Sequence, residues 1–341
     1  MGKGDRNKAM ASDGFSLIPL QVRMMRTLGI DVSKKRFHVA LLRENGKFVT
    51  KAFDNTPAGF QALERWLHAK GATHPNVCLE STGTYSEALA THLFEAGYTV
   101  SMENPARIKH FARSAGLRTK NDAVDARAIA RYAEAMQPEP WAPAPREVRE
   151  LKALVRRLEA QLAMRTQEQG RLEADPPPIV REEVETHIAY LDSAIEATRK
   201  RIRDHIDNHP GLKQDHELLK TIPGLGDTTA AHLLAELDVR RYPSARQAAA
   251  YLGLTPRQHQ SGTSVHGPAR LAKEGNGRLR KALYFPALAA MRANPVIVAF
   301  AKRLRDRGKR PMVVVAAAMR KLIHIAFGVL KSQRPFNPQA A

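Results

Sequence analysis

The run Thr27-Leu28-Gly29-Ile30-Asp31-Val32 constrains this chain more than any other stretch. It is short and apolar enough to be a buried strand, yet it carries a carboxylate near its centre. Burying a carboxylate is costly unless a positive group meets it. Asp31 is therefore either a salt-bridged core residue or the first ligand of a metal site.

The next segments fix the fold around it. Strands are expected at Phe37 to Leu42 and Lys47 to Phe53, too close in sequence for helical crossovers, so the first three form an antiparallel meander. A helix from Pro57 to Lys70, a strand from Asn76 to Glu80, a helix from Thr84 to Ala96 and a strand from Tyr98 to Met102 then alternate. Three hairpin strands followed by alternating helix and strand is the plan of a ribonuclease-H-like α/β domain. Such a sheet sets the first strand beside the fourth, bringing Glu80 next to Asp31. The stretch Asn104 to Met136 reads as helical and holds Asp122 and Asp125, three apart and so on one helix face, with Asn121 as the expected cap. Taken alone, that pair reads as an acidic first turn balanced by Arg118 and Arg127. With Asp31 and Glu80 it makes four carboxylates at one sheet edge, which cannot all ionise without a compensating cation. Oxygen-preferring Mg2+ or Mn2+ removes the conflict.

Pro138-Glu139-Pro140-Trp141-Ala142-Pro143-Ala144-Pro145 reads as a stiff linker. Beyond it Leu151, Val155, Leu158 and Leu162, then Val184, Ile188, Leu191, Ile195, Thr198 and Ile202, recur at spacings of three and four on either side of Asp175-Pro176-Pro177-Pro178. These are two helices with narrow seams, expected as a hairpin completed by an intermolecular coiled coil or else packed on its own domain. The sequence thus divides into a tail (1–25), a first domain (26–145), a coiled-coil hairpin (146–210) and a mainly helical C-terminal domain (211–341).

Charge points to the partner. Formal net charge is +20, and from Lys213 onward 22 Lys and Arg stand against 7 Asp and Glu, leaving 15 of those charges in the last part. A polyanion is the expected ligand, nucleic acid before membrane. No apolar run is expected to approach the ~18 residues of a membrane helix. One cysteine, Cys78, excludes an intramolecular disulfide and a Cys-based zinc site and fits the cytoplasm. Ile222-Pro223-Gly224-Leu225-Gly226 opening a helix reads as a helix-hairpin-helix turn, Gly224 and Gly226 letting backbone N–H groups approach a phosphate. Residues 250–268 read as a Gly/Ser/Thr loop between helices, flanked by Arg257, Arg270, Lys273, Arg278, Arg280 and Lys281. Its hydroxyls at Ser261, Thr263 and Ser264 either bind phosphate or include a nucleophile. Amphipathic helices with basic faces are expected at Leu279 to Met291, Pro295 to Arg307 and Pro311 to Leu330.

Gly29-Ile30-Asp31, Glu80-Ser81-Thr82-Gly83-Thr84-Tyr85, Lys120-Asn121-Asp122-Ala123-Val124-Asp125-Ala126-Arg127, Ile222-Pro223-Gly224-Leu225-Gly226 and Gly253-Leu254-Thr255-Pro256 through Ser261-Gly262 occur in one order. Together they closely resemble the insertion-sequence family numbered one hundred and ten, the DEDD transposases or bridge-RNA-guided recombinases. The resemblance runs from about Arg26 to Phe336. It implies a RuvC-like domain with the metal-binding tetrad Asp31, Glu80, Asp122 and Asp125, a coiled coil, and a C-terminal transposase domain whose catalytic serine is Ser261. It further implies a phosphoserine intermediate, a dimer through the coiled coil and a tetramer on DNA, and a structured non-coding guide RNA pairing with donor and target DNA. The rival expectations are a RuvC-like nuclease using water, an actin-like ATPase sharing the Gly-Ile-Asp strand, and a non-catalytic nucleic-acid-binding protein.

Overall fold

The computed structural model describes residues 26–81, 83–116, 122–261, 265–272 and 275–339, those at 84, 240, 258–261 and 265–270 by their backbone alone. The expected tail 1–25, Asn121, Thr263, Ser264 and Lys273 lie outside the described residues. Two compact units meet inside the proline-rich stretch, one ending at Pro143 and the other starting at Ala144.

The first unit contains β1 (Thr27–Val32), β2 (Arg36–Leu42), β3 (Phe48–Asp54), α1 (Pro57–Ala69), β4 (Asn76–Glu80), α2 (Thr84–Glu95), β5 (Val100–Glu103), α3 (Pro105–Ser114) and α4 (Asp122–Met136). The strands form one sheet in the order β3-β2-β1-β4-β5. β1 to β3 pair antiparallel, and β4 and β5 add in parallel. This is the ribonuclease-H-like arrangement that the strand spacing requires. Alternation gives the sheet two faces. Leu28, Ile30, Val32, Phe37, Val39, Leu41, Val77 and Leu79 share a core with Leu63, Leu67, Leu89 and Leu93 of α1 and α2. Cys78 faces the other way, into a smaller cluster with Ile108, Ile129 and Tyr132.

On that second face α4 lies directly against β1. A Cβ at Gly29 would stand 2.2 Å from the Ala126 carbonyl oxygen and 2.3 Å from the Ala130 nitrogen, so only glycine admits this approach. The stretch expected as continuously helical from Asn104 is two helices. α3 stops at Ala115, and Gly116 follows at φ +72°, the left-handed conformation that ends helices.

The second unit contains α5 (Arg146–Glu173), α6 (Pro178–Asp207), α7 (Pro210–Lys220), α8 (Asp227–Glu236), α9 (Ala245–Tyr251), β6 (Pro256–Ser261), β7 (Val265–Leu271), α10 (Gly277–Ala282), α11 (Tyr284–Ala293), α12 (Pro295–Asp306) and α13 (Pro311–Ser332). α5 and α6 form the expected hairpin, broken at Asp175 (φ +53°) and its prolines. Its lower half does not stand alone. Leu151, Val155, Leu158, Ile195, Ile202 and Ile206 belong to the core built by α7 to α13. Farther from that core Val184 and Leu191 stay buried beside the polar Gln161 and Glu168, with His187 Nδ1 3.0 Å from Glu168 and Arg165 bound through Nε and Nη2 to Asp192.

Two expectations need correction. The loop read at 250–268 contains an antiparallel β-hairpin, β6 and β7, with a register shift between Arg257 and His259. β6 is polar throughout, and the alternation of Val265, Ala269 and Leu271 with His266 and Arg270 in β7 is interrupted by Gly267 and Pro268, so the stretch reads as a loop. The helix expected from Leu279 to Met291 is two, α10 and α11, meeting at Leu283. α13 is also more apolar than an uninterrupted-run count reveals. An 18-residue window has mean hydropathy 1.8, long and apolar enough to cross a membrane, and 61% of that window is buried within the unit. Arg320 and Lys321 interrupt the run, and the helix serves as the core of the second unit.

Candidate active site

The register brings the acidic residues of the first unit together by face. β1 and β4 pair in parallel through Gly29 with Cys78 and Ile30 with Leu79, so Asp31 and Glu80 are the next step along adjacent strands. Both alternate with the core-facing residues and share the side of Gly29 and Cys78, the side α4 covers. Ala126 presses on Gly29, and Asp122 and Asp125 occupy the turn of α4 before it. Acidic side chains there complement the helix dipole.

Sequence reasoning missed two neighbours. His38 lies opposite Asp31 in the β1–β2 ladder, and its Nδ1 is 3.4 Å from Asp122 Oδ2. This contact ties the start of α4 to the sheet at the level of Asp31. Glu103, opposite Glu80 on β5, is buried and accepts a hydrogen bond from Tyr132 Oη (2.8 Å) while pairing with Arg107 (3.0 Å). Burial and that hydrogen bond push the Tyr132 hydroxyl up to about 12. Glu103 is thus committed to structure. The alternation around His38 was visible in the sequence, but a histidine among strand residues carries no signal without its cross-strand partner.

A divalent cation fits this donor set in chemistry, since four carboxylates offer the hard oxygens that Mg2+ and Mn2+ take. The described residues do not form a closed cage. Among them no three His, Cys, Asp or Glu side chains stand close enough together to hold a metal ion. What the fold supplies is one face and one strand level.

In the second unit Ser261 is the last residue of β6, its backbone opposite Val265. Arg257 is exposed on β6, in register with Arg270 on β7. Arg278 and Arg280 are engaged internally. Arg278 Nη1 is 3.1 Å from Glu159, and Arg280 Nη1 donates to the Leu252 carbonyl at 3.0 Å. Lys281 is exposed on α10. At the α7–α8 turn Gly224 (φ +103°) serves packing, because a Cβ there would meet the Ala290 nitrogen at 2.8 Å. Gly226 precedes α8, whose first turn holds Asp227, paired with Lys220 at 3.2 Å. An anion at that helix start has to compete with Asp227.

Comparison with known proteins identifies the family. Residues 28–174 match a transposase profile of the DEDD type of IS110, and residues 216–302 match one described as "Transposase IS116/IS110/IS902 family". The pilin gene-inverting protein of Moraxella bovis is 33% identical over 91% of this chain and 97% of its own length. The transposase for insertion sequence element IS1328 of Yersinia enterocolitica is 26% identical over 75% of this chain and 81% of its own. A RuvC structure from Thermus thermophilus aligns over 34% of this chain and all of its own, at 18% identity and a TM-score of 0.26. With two consecutive family profiles and a relative aligned along almost the whole length, the chain belongs to the IS110 family of transposases.

Proposed function

We propose that this transposase cuts and exchanges DNA strands of an insertion sequence through a covalent phosphoserine at Ser261, with a divalent cation held by Asp31, Glu80, Asp122 and Asp125. The observation that carries the reading is the shared level of Asp31 and Glu80 on adjacent strands beneath the acidic first turn of α4. Bound there, Mg2+ or Mn2+ supplies Lewis acidity toward a phosphoryl oxygen and toward the attacking hydroxyl.

The chain's own groups do the rest. Ser261 Oγ forms a bond to phosphorus as the bond to a deoxyribose oxygen breaks, and that oxygen leaves as a hydroxyl. A second strand's hydroxyl then displaces Ser261, so the phosphodiester is restored without ATP. Basic residues of the second unit, Arg257 and Lys281 among the exposed ones, neutralise the DNA and RNA backbones. The relative named for inverting a pilin gene favours rearrangement over simple cleavage.

Donor and target DNA are the substrates, and a structured RNA encoded by the element pairs with both. The protein works in the bacterial cytoplasm at the nucleoid. It dimerises through α5–α6 and forms a tetramer on DNA. Ile179 (75% exposed) and Tyr190 (63%), on one face of α6, support such self-association. A second reading, a nuclease using water, draws on all four acidic residues lying in one unit.

The test compares Asp31→Asn and Ser261→Ala in recombination of donor and target plasmids, with denaturing gels for protein-linked DNA and sequencing of co-purified RNA. Loss of exchange in both, and of the covalent species in Ser261→Ala, is expected. Exchange surviving Ser261→Ala sinks the serine step, and activity surviving Asp31→Asn sinks the metal site. An active protein without a discrete RNA sinks the guide.

A further inference from the structure

α13 has a glycine in its interior that packing does not explain. A helix is less stable with glycine than with alanine, yet Gly328 is exposed and a Cβ there meets nothing within 4 Å. Its effect is to leave a space open. Gly328 lines a cleft of about 520 Å³, formed by the last turns of α13 and the segment 334–337 that follows it. That volume lies within the ~300–1,000 Å³ of small-ligand sites.

The walls are fixed. Gln333 turns the chain at φ +54° and donates to Asp215 at 2.7 Å, while the Phe336 nitrogen donates to Thr221 Oγ1 at 2.9 Å. His324, one turn before Gly328, lines the cleft, and its Nε2 is buried without a hydrogen-bond partner. Burial, with Arg320 and Lys321 nearby, lowers the His324 pKa and so favours the neutral ring. Lys321 and Arg334 flank the cleft, and among the described residues neither forms an ion pair. Phe336 and Pro335 add apolar surface.

Two cations, an aromatic ring and a neutral imidazole short of one partner, around a space of this size, match a particular chemistry. We propose that the cleft binds one unpaired nucleotide of a single-stranded stretch of nucleic acid. Lys321 and Arg334 take the phosphate and Phe336 the face of the base, with the half-buried His324 ring on the cleft wall. A nucleotide inside a duplex cannot present its face, so the site selects single strand. This rests on the chain's acting on nucleic acid and on neither the tetrad nor Ser261, so the plasmid test above and the one below fail separately.

The probes are single-stranded RNA carrying 4-thiouridine and single-stranded DNA carrying 4-thiothymidine, crosslinked to the full-length chain and mapped by mass spectrometry. Crosslinks within residues 321–337 are expected, and the oligonucleotide that gives them identifies the source as RNA or DNA. In parallel, Gly328→Leu projects a side chain toward the cleft from a Cβ position that meets nothing within 4 Å. It is expected to melt at or above the wild-type temperature, to weaken single-strand binding about tenfold, the worth of one stacked base, and to leave duplex binding unchanged. Wild-type single-strand affinity in Gly328→Leu overturns the proposal, as does a crosslink map that avoids residues 321–337 for both probes. If Gly328→Leu melts early, the wild-type map alone decides.

Discussion

Gly29→Ala is the substitution that most directly tests how the acidic face is built. The added methyl lands 2.2 Å from the Ala126 oxygen and 2.3 Å from the Ala130 nitrogen, both backbone atoms of α4. No rotamer relieves this, and normal contact requires ~3.5 Å, so α4 has to retreat by roughly 1 Å. Overpacking of this kind costs about 1–3 kcal/mol, and contact with backbone sets the upper end. For a domain the size of the first unit, about 3 kcal/mol lowers the melting temperature by ~10 °C. The same retreat carries Asp122 and Asp125 away from Asp31, and a misplacement of ~1 Å near the chemistry costs about 100-fold in rate. Circular-dichroism melting and strand exchange on donor and target plasmids measure the two effects. Gly170→Ala, whose Cβ meets nothing within 4 Å in α5, is the control and is expected to melt no lower than wild type. A Gly29→Ala protein with wild-type melting and exchange would refute the close seating of α4 on β1.

His38→Ala is expected to weaken Mn2+ binding about tenfold, as loss of a group orienting a metal ligand does. His38→Asn, which keeps a donor near the Nδ1 position, restores most of it, and an unchanged Mn2+ titration in the alanine variant counts against the His38–Asp122 link. In the hairpin, hydrogen bonds from Arg171 and His187 hold Glu168 below the usual carboxylate range, and Arg165 does the same for Asp192. Both carboxylates stabilise when ionised. That contribution is complete above their ordinary pKa and fades as pH falls through the lowered folded values. Melting of the second unit should therefore drop in acid below about pH 4, and a Glu168→Gln, Asp192→Asn variant should show a flatter profile over that range. Burial, with Glu103 nearby, pushes the Cys78 thiol to about 12. Thiol reagents at neutral pH are expected to modify it only as the first unit unfolds, and rapid native-state labelling contradicts that placement.

Much of the first unit was legible because its physics is local. An apolar run carrying Asp31 and another ending in Glu80, each bounded by polar turns, fix two strands. Spacing then fixes their order, and the register follows from which residues have to face the core. What stayed hidden depends on partners distant in sequence. His38 gained meaning only when Asp122 arrived beside it from another element. Gly29 was legible as part of a motif, but its steric role needed α4 overhead. In the second unit β6 is polar throughout, and the apolar face of β7, Val265, Ala269 and Leu271, is broken by Gly267 and Pro268, so the pair read as a loop. The seam of α5 and α6 suited either a second copy or the chain's own helices, and the core shared with α7 to α13 occupies its lower half. Farther along, the expected seam residues Val184 and Leu191 are buried together with Gln161 and Glu168, and those two no apolar count selects.

The pairing of Arg278 with Glu159 bears on how ionic strength reports on binding. A lysine or arginine that meets a phosphate displaces condensed counterions, and log affinity falls with log salt at about 0.9 per duplex phosphate neutralised. Glu159 already sits between His232 (3.2 Å) and Arg278 (3.1 Å). If Arg278 turns to a phosphate, it exchanges one anion for another and leaves Glu159 to recruit a cation from solution. The small ion released by the DNA is then offset by one taken up by the protein. A salt titration of this chain therefore registers only cations that arrive unpaired, and its slope should fall well short of the formal charge of +20.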